Sequence, residues 1–132
     1  MSRLAAALLL GMLSQGALGQ AASPGKALYD GHCAGCHGAE ARGGGWMAQH
    51  LKRVPPPLDT LSRDYGGQFP RELMRHTIDG RRQVQMHGPR EMPVWGYVFL
   101  ADYQRPFGPL ASEASVSQRV DQLLDYLQEI QR

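Results

Sequence analysis

The chain has 132 residues, with 14 Lys and Arg against 12 Asp and Glu, a hydrophobic fraction of 42% and two cysteines. This length fits a single domain. The composition excludes a charge-dominated disordered tract, a membrane bundle and a scaffold held by several disulfides. A formal net charge of +2 is too small to indicate nucleic acid as the main partner. The 16 Gly and 9 Pro residues are many for a chain that must build its own core.

The first residues have the pattern of a secretory signal peptide. Arg3 is followed by the apolar run 4–13 and then by small and polar residues. We expect residues 1–19 to be removed, with cleavage as late as residue 21 as a second option, which leaves about 113 residues. An uncleaved membrane anchor is the alternative, but this run is too short to span a bilayer as a helix. The pattern predicts export to the periplasm, one domain over 23–132 and no stable membrane insertion after cleavage.

The two cysteines lie in one motif, Cys33-Ala34-Gly35-Cys36-His37. This C-x-x-C-H pattern is the attachment signature of a c-type haem. On one helical turn, two thiols at this spacing can add to the two vinyl groups of a haem, and the imidazole that follows can bind the iron. We therefore predict that Cys33 and Cys36 form covalent thioethers to the haem and that His37 is an axial iron ligand.

Two other kinds of cysteine site compete with this interpretation. A thioredoxin-like C-x-x-C needs strands alternating with helices around it, and the sequence has no alternating strand pattern. A zinc site needs a second pair of Cys or His residues at ligand spacing. The remaining histidines are scattered: His32, His50, His76 and His87. Of these, His32 is expected to be exposed, because helical geometry directs it away from His37.

Two segments resemble bacterial class I monohaem cytochromes c. One is 26–38, which contains the C-x-x-C-H motif, and the other is Met92-Pro-Val-Trp-Gly96, which follows Ile78-Asp-Gly-Arg81. The resemblance covers essentially all of the exported chain. It implies an all-α fold in which the N- and C-terminal helices cross and long loops wrap one covalently bound haem c. It also implies that one proline carbonyl among 55–57 accepts a hydrogen bond from His37.

Met92 is the predicted second axial ligand of the haem iron, as the resemblance implies. Pro93 fixes the backbone after it and biases Met92 toward extended geometry, which can present the side chain inward from a loop. A thioether at this position favours ferrous iron and raises the potential. Met86 is the nearest competitor, and ligation by His87 instead would give a bis-histidine site of lower potential.

In chain order, the sequence predicts three helices. The first starts at Ser23-Pro24 and leads into the haem motif. The second covers 71–79 and ends at Gly80. The third begins with Ser115 and Gln118 as a capping box. It carries one apolar stripe: Val116, Val120, Leu123, Leu124, Leu127 and Ile130. The resemblance implies that this stripe packs against the first helix.

Two long irregular stretches, 38–68 and 80–112, are expected between these helices. Loops of this length in a small domain usually have a function, and here they can pack against the faces of the haem. The apolar run 97–101 fits either an interface or burial. Five side chains are candidate donors to the haem propionates: Arg42, Trp46, Arg81, Trp95 and Tyr97.

With both axial positions of the iron taken, no iron site is open to substrate. The expected function is therefore that of a periplasmic one-electron carrier between respiratory or dehydrogenase partners, and not of an enzyme. One alternative is a cytochrome c subunit of a periplasmic oxidoreductase complex. Another, if Met92 dissociates, is a haem protein that binds a gas ligand or peroxide.

The charged residues give an expectation about the redox partner. Residues 71–91 carry five Arg against three acids, and residues 112–132 carry four acids against two Arg. The first segment predicts a basic docking surface for an acidic redox protein. A mixed surface without electrostatic steering is the alternative.

Overall fold

The computed structural model describes residues 21–81, 92–107 and 113–132. Within these ranges the chain forms six α-helices and one 3₁₀ turn, with no strand: α1 (Pro24–His32), α2 (Ala34–His37), the 3₁₀ turn (Ala48–His50), α3 (Leu61–Asp64), α4 (Arg71–Asp79), α5 (Trp95–Phe107) and α6 (Glu113–Glu129). The all-α prediction is confirmed. No helix in the described ranges is long and apolar enough to cross a membrane. The predicted signal peptide and the competing ligands Met86 and His87 lie outside the described residues.

The core forms where α6 packs against α1, α4 and α5. The stripe predicted on α6 is buried from Val116 to Leu127, and Ile130 is half-buried. Burial of one such side chain contributes about 1.5–3 kcal/mol, before the entropy cost of ordering the chain is subtracted. α1 approaches α6 closely at Gly25, which is itself buried. The packing of the first helix on the last, which the resemblance implies, is therefore confirmed.

The helix boundaries agree with the sequence patterns except at α6. α1 begins as predicted, because Ser23 Oγ accepts a hydrogen bond from the Lys26 backbone N–H at 3.2 Å. α4 covers the predicted 71–79 and ends at Gly80, whose φ of 67° is the left-handed conformation that glycine favours. The capping box at Ser115 is wrong, because α6 begins at Glu113 and Ser115 lies inside it.

α5 is the element that the sequence does not predict. The expectation of an irregular chain over 80–112 is wrong for 95–107, which are helical. Pro93 precedes the helix and does not interrupt it. The residues of the apolar run 97–101 lie on two faces of this helix, since Phe99 is fully buried and Tyr97 is exposed. The other long connection, 38–68, is mostly irregular, as expected, apart from the 3₁₀ turn and α3.

Asp59 fixes the loop after α2 to the last residues of the chain. Its side chain is almost fully buried and pairs with Arg132 and, at 3.4 Å, with Arg42. Gln131 also donates a hydrogen bond to the Leu58 carbonyl at 2.7 Å. Burial by itself would raise the pKa of Asp59, but the hydrogen bonds and charges of the two arginines outweigh it and hold the pKa below its ordinary value.

We expect Asp59→Asn to lower the free energy of unfolding by about 2 kcal/mol at pH 7, because it removes the charge that both arginines face. The folded pKa of Asp59 lies below the unfolded value of about 3.8. This stabilisation is therefore present above the unfolded pKa and is lost as the pH falls through the folded pKa. Denaturant unfolding of the unsubstituted protein and of Asp59→Asn should give stabilities that converge as the pH falls below the unfolded pKa.

Glu40→Gln is the matched control for this prediction. Glu40 pairs with Arg42 as Asp59 does, but its side chain is exposed. Its loss should change the free energy of unfolding by less than about 0.5 kcal/mol. A difference between Asp59→Asn and the unsubstituted protein that does not vary with pH would contradict the electrostatic explanation.

The described arginines of the segment 71–91 pair with carboxylates of the segment 112–132. Arg71 of α4 pairs with Asp121 (3.1 Å) and Asp125 (2.8 Å) of α6, and Arg75 pairs with Asp121. Arg81, which follows α4, pairs with Glu113 of α6 (2.8 Å) and with Asp79 of its own segment (2.6 Å). The prediction of a basic docking surface over 71–91 is therefore wrong for the described arginines. Arg82 and Arg90 lie outside the described residues.

Candidate functional site

A cavity of about 530 Å³ beside α1 and α2 is the candidate functional site. This volume is within the range of about 300–1,000 Å³ that is typical of small-molecule and cofactor sites. All four predicted site residues line the cavity: Cys33, Cys36, His37 and Met92. Most of the remaining wall is apolar: Leu51, Leu58, Leu61, Met74, Ile78, Leu123 and Leu127. The fold therefore brings the C-x-x-C-H motif and Met92 together around one apolar space.

The C-x-x-C-H motif forms the junction of α1 and α2. The Cys33 carbonyl accepts hydrogen bonds from the backbone N–H groups of Cys36 at 3.1 Å and His37 at 2.9 Å. Both cysteines are half-buried, and they are not joined in a disulfide. Burial, with a smaller contribution from Cys36, raises the pKa of the Cys33 thiol to about 12. The two thiols thus lie on one helical turn at the edge of the apolar cavity.

The orientation of His37 is fixed by Pro56. The His37 Nδ1 lies 3.0 Å from the Pro56 carbonyl oxygen, so that Nδ1 carries the proton and donates the hydrogen bond. Of the three prolines 55–57, Pro56 is therefore the one whose carbonyl accepts the hydrogen bond from His37. Burial lowers the pKa of His37, and the hydrogen bond to Pro56 opposes this shift. The buried ring is neutral at pH 7, which leaves a lone pair on Nε2, the state that binds a metal.

Tyr29 supports the chain directly after His37. Its ring is fully buried and lies against the Tyr126 ring, with 5.3 Å between the centroids. Its hydroxyl donates a hydrogen bond to the Gly38 carbonyl at 2.6 Å. Burial raises the pKa of Tyr29 above its ordinary value, so the hydroxyl remains a donor at neutral pH. The end of α2 is therefore anchored to the α1–α6 core.

Met92 reaches the cavity from the residues that precede α5. Its half-buried side chain lines the cavity together with Pro93 and Trp95. The Trp95 ring meets the His32 ring edge-on at 5.3 Å, and His32 meets the Phe99 ring at 5.5 Å. The exposed position expected for His32 is therefore wrong. His32 is half-buried, lines the cavity and joins the residue before the motif to the start of α5.

The cavity wall also contains polar side chains that the sequence does not indicate: Arg53, Asp64, Tyr65 and Thr77. The sequence does contain a pattern that indicates one of them, Thr77. Met74, Thr77 and Ile78 follow the i, i+3, i+4 spacing that directs side chains to one face of a helix, and all three line the cavity. The other polar residues lie in or beside short irregular segments, where no periodicity indicates their direction.

Of the five candidate propionate donors, Trp95 lines the cavity. Arg42 and Arg81 are engaged in ion pairs with Asp59 and Asp79. The other two, Trp46 and Tyr97, are exposed.

The donor set fits a covalently bound haem. Two cysteines at attachment spacing, a neutral imidazole and a thioether side chain line one apolar cavity, and the imidazole donates its second N–H to a backbone carbonyl, as metal-bound histidines usually do. In the part of the chain that the structure describes, no group of three or more His, Cys, Asp or Glu side chains could hold a metal ion. The zinc alternative therefore finds no ligand set there.

Comparison with models of known protein families gives a match. The family model described as Cytochrome c matches residues 22–130 of the chain. The matched segment contains the C-x-x-C-H motif, Met92 and all six described helices. No curated protein and no solved structure matches the chain significantly.

Proposed function

The chain belongs to the cytochrome c family, whose members transfer electrons through covalently attached haem c, and on this premise we propose that it is a periplasmic one-electron carrier with His37 and Met92 as the axial iron ligands. Cys33 and Cys36 would hold the haem through two thioethers. The observation that carries the proposal is that these four side chains, from two separate segments, line one apolar cavity. An iron with both axial positions taken favours electron transfer over chemistry on a substrate.

Haem c, when bound, supplies an iron that alternates between the ferric and ferrous states. The Pro56 carbonyl holds His37 in the neutral form and, by accepting its N–H, raises the basicity of the ligand. The thioether of Met92 favours the ferrous state. The apolar wall excludes water from the faces of the ring, which limits the solvent reorganisation that accompanies each electron transfer.

The aromatic rings that contact one another beside Met92 give the site rigidity. His32, Trp95 and Phe99 contact one another across α1 and α5. These contacts hold the residues after Met92 against the helix that precedes the haem motif. A ligand segment held in this way keeps nearly the same position in both redox states, which is what a fast one-electron carrier requires. Export to the periplasm, with a signal peptide over 1–19, is the part of the proposal that rests on the N-terminal sequence pattern.

The optical spectrum of the purified holoprotein tests the proposed ligands. We expect low-spin c-type bands in both oxidation states and, in the ferric form, the weak far-red band of a methionine–iron bond. Met92→Ala should lose this band, because it removes the sulfur ligand. Met74→Ala is the matched control, since Met74 also lines the cavity and its loss should leave the band in place.

Met86→Ala should likewise keep the far-red band, which separates Met92 from its nearest competitor in the sequence. High-spin bands in the unsubstituted protein would contradict the proposal and would favour a haem that binds a small ligand.

A further inference from the structure

The loop of residues 41–58, named here the Trp46 loop, exposes large apolar side chains. Trp46 is 72% exposed, Val54 is 83% exposed and Met47 is 39% exposed. Trp46 and Met47 lie together, since both side chains come within 4 Å of a Cβ placed at Gly35, and grouped apolar side chains mark interaction sites more often than isolated ones do. Tryptophan is also among the residue types most enriched at the energetic centres of protein interfaces. The loop therefore has the composition of an interface.

The Trp46 loop is hydrogen-bonded to α2, the helix that carries Cys36 and His37. Three of its backbone N–H groups donate to α2 carbonyls: Gly43 to His37 (2.8 Å), Gly45 to Cys36 (3.2 Å) and Met47 to Gly35 (2.8 Å). The Trp46 indole lies over Gly35, because a Cβ placed there would be 3.4 Å from Trp46 Nε1. The exposed ring is thus held beside the haem-attachment residues, and an anchor ordered in advance loses little entropy on binding.

The second half of the Trp46 loop forms a wall of the cavity. Leu51, Arg53 and Val54 line it next to the prolines 55–57. Val54 both lines the cavity and is largely exposed, so it lies at the rim. A partner that covers Trp46 and Val54 comes close to the cofactor, and electron transfer falls off steeply with distance.

The charge of the Trp46 loop indicates the kind of partner. The loop contains Arg42, Lys52 and Arg53 and no Asp or Glu, but Arg42 pairs with Glu40 and Asp59. Lys52 is exposed and forms no ion pair with any residue that the structure describes. The arginines of α4, by contrast, face the carboxylates of α6. The positive charge of Lys52, with the exposed Arg53 beside it, therefore gives the Trp46 loop a basic rim that complements a negatively charged surface.

We propose that the Trp46 loop is the docking surface for an acidic redox protein, with Trp46 as the apolar anchor and Lys52 and Arg53 as a basic rim. The inference rests on the proposed carrier function. In the complex one electron leaves the reduced chain and reduces the redox centre of the partner by one electron, with no bond made or broken. Small interfaces steered by charge are typical of such encounters.

Stopped-flow oxidation of the reduced holoprotein tests the docking surface with two oxidants, an acidic blue-copper protein and ferricyanide. With the copper protein at low ionic strength, Lys52→Glu should lower the second-order rate constant on the order of fivefold and flatten its salt dependence. Trp46→Ala should lower it by about tenfold. With ferricyanide, Trp46→Ala should react as the unsubstituted protein does, because a small ion needs no apolar anchor.

Two exposed residues of α5 provide matched controls. Tyr97→Ala removes an aromatic ring that is 61% exposed, and Arg105→Glu reverses an exposed positive charge. At an ionic strength of about 0.1 M, where charges are screened beyond about 10 Å, both variants should leave the rate with the copper protein within about twofold of the unsubstituted value, because neither residue belongs to the Trp46 loop.

Unchanged rates for both Trp46→Ala and Lys52→Glu would overturn the docking surface and leave the carrier function standing, because ferricyanide oxidation and the low-spin spectrum report that function independently. Two further results would overturn the docking proposal and indicate that something other than a redox protein binds the Trp46 loop. One is Trp46-dependent binding to phosphatidylglycerol vesicles with no effect on the copper protein. The other is a dimer in sedimentation that Trp46→Ala abolishes.

Discussion

The double variant Cys33→Ala/Cys36→Ala is expected to lose both the covalent haem and the folded state. Both thiols line the cavity, and without them no thioether can form. Without the haem the apolar side chains of the cavity wall face water, and each side chain left exposed loses about 1.5–3 kcal/mol of burial. A small domain has a free energy of unfolding of about 5–15 kcal/mol in total. We therefore expect the helices to lose their arrangement when the haem is absent.

Haem staining after denaturing electrophoresis and far-ultraviolet circular dichroism measure the two losses separately. Each single cysteine variant retains one possible thioether and should remain folded with covalent haem. Added haemin should restore part of the helical signal of the double variant, because occupancy of the cavity, more than the covalent bond, supports the core. A haem-free double variant that unfolds cooperatively, with the helical content of the unsubstituted protein, would contradict this account.

The site was predictable where chemistry fixes the spacing of residues. Cys33, Cys36 and His37 are nearly contiguous, so their proximity follows from one helical turn. Met92 is far away in the sequence, and its place on the same cavity was implied by the resemblance and by Pro93. The choice of Pro56 could not be made from the sequence, because three identical residues stand side by side and only the folded backbone directs one carbonyl to His37.

The fold was predictable where a pattern reports burial or a helix end directly. The stripe of α6 and the Gly80 cap of α4 are of this kind. α5 is different, because its inward residues Trp95 and Phe99 are ordered by contacts with His32 and with other helices. Tertiary contacts of this kind leave little periodicity in a segment that also contains glycine and proline.

The two wrong expectations about surfaces share a physical cause. His32 was assigned from the geometry of its own helix, whereas the rings that cover it belong to α5. The arginines of α4 were assigned from the net charge of their own segment, whereas the carboxylates that offset them belong to α6. In both cases the exposure of the side chain depends on a second helix of the same chain, and the position of that helix is not known from the sequence.

Gly25→Ala and Gly31→Ala make the same change on α1, and we expect opposite effects on the free energy of unfolding. At Gly31 no atom lies within 4 Å of the added Cβ, so the higher helix propensity of alanine should stabilise the protein by about 0.5–1 kcal/mol.

At Gly25 the added Cβ would lie 2.8 Å from the Tyr126 Cβ and 2.9 Å from the Gln122 carbonyl carbon. The α6 backbone cannot yield, so α1 must move, and we expect a loss of about 2–3 kcal/mol. Because α1 leads directly into Cys33, this displacement also reaches the C-x-x-C-H motif. Denaturant unfolding of the two holoproteins at neutral pH measures both effects. Shifts of the same sign would show that the close approach of α1 and α6 is not what requires glycine at position 25.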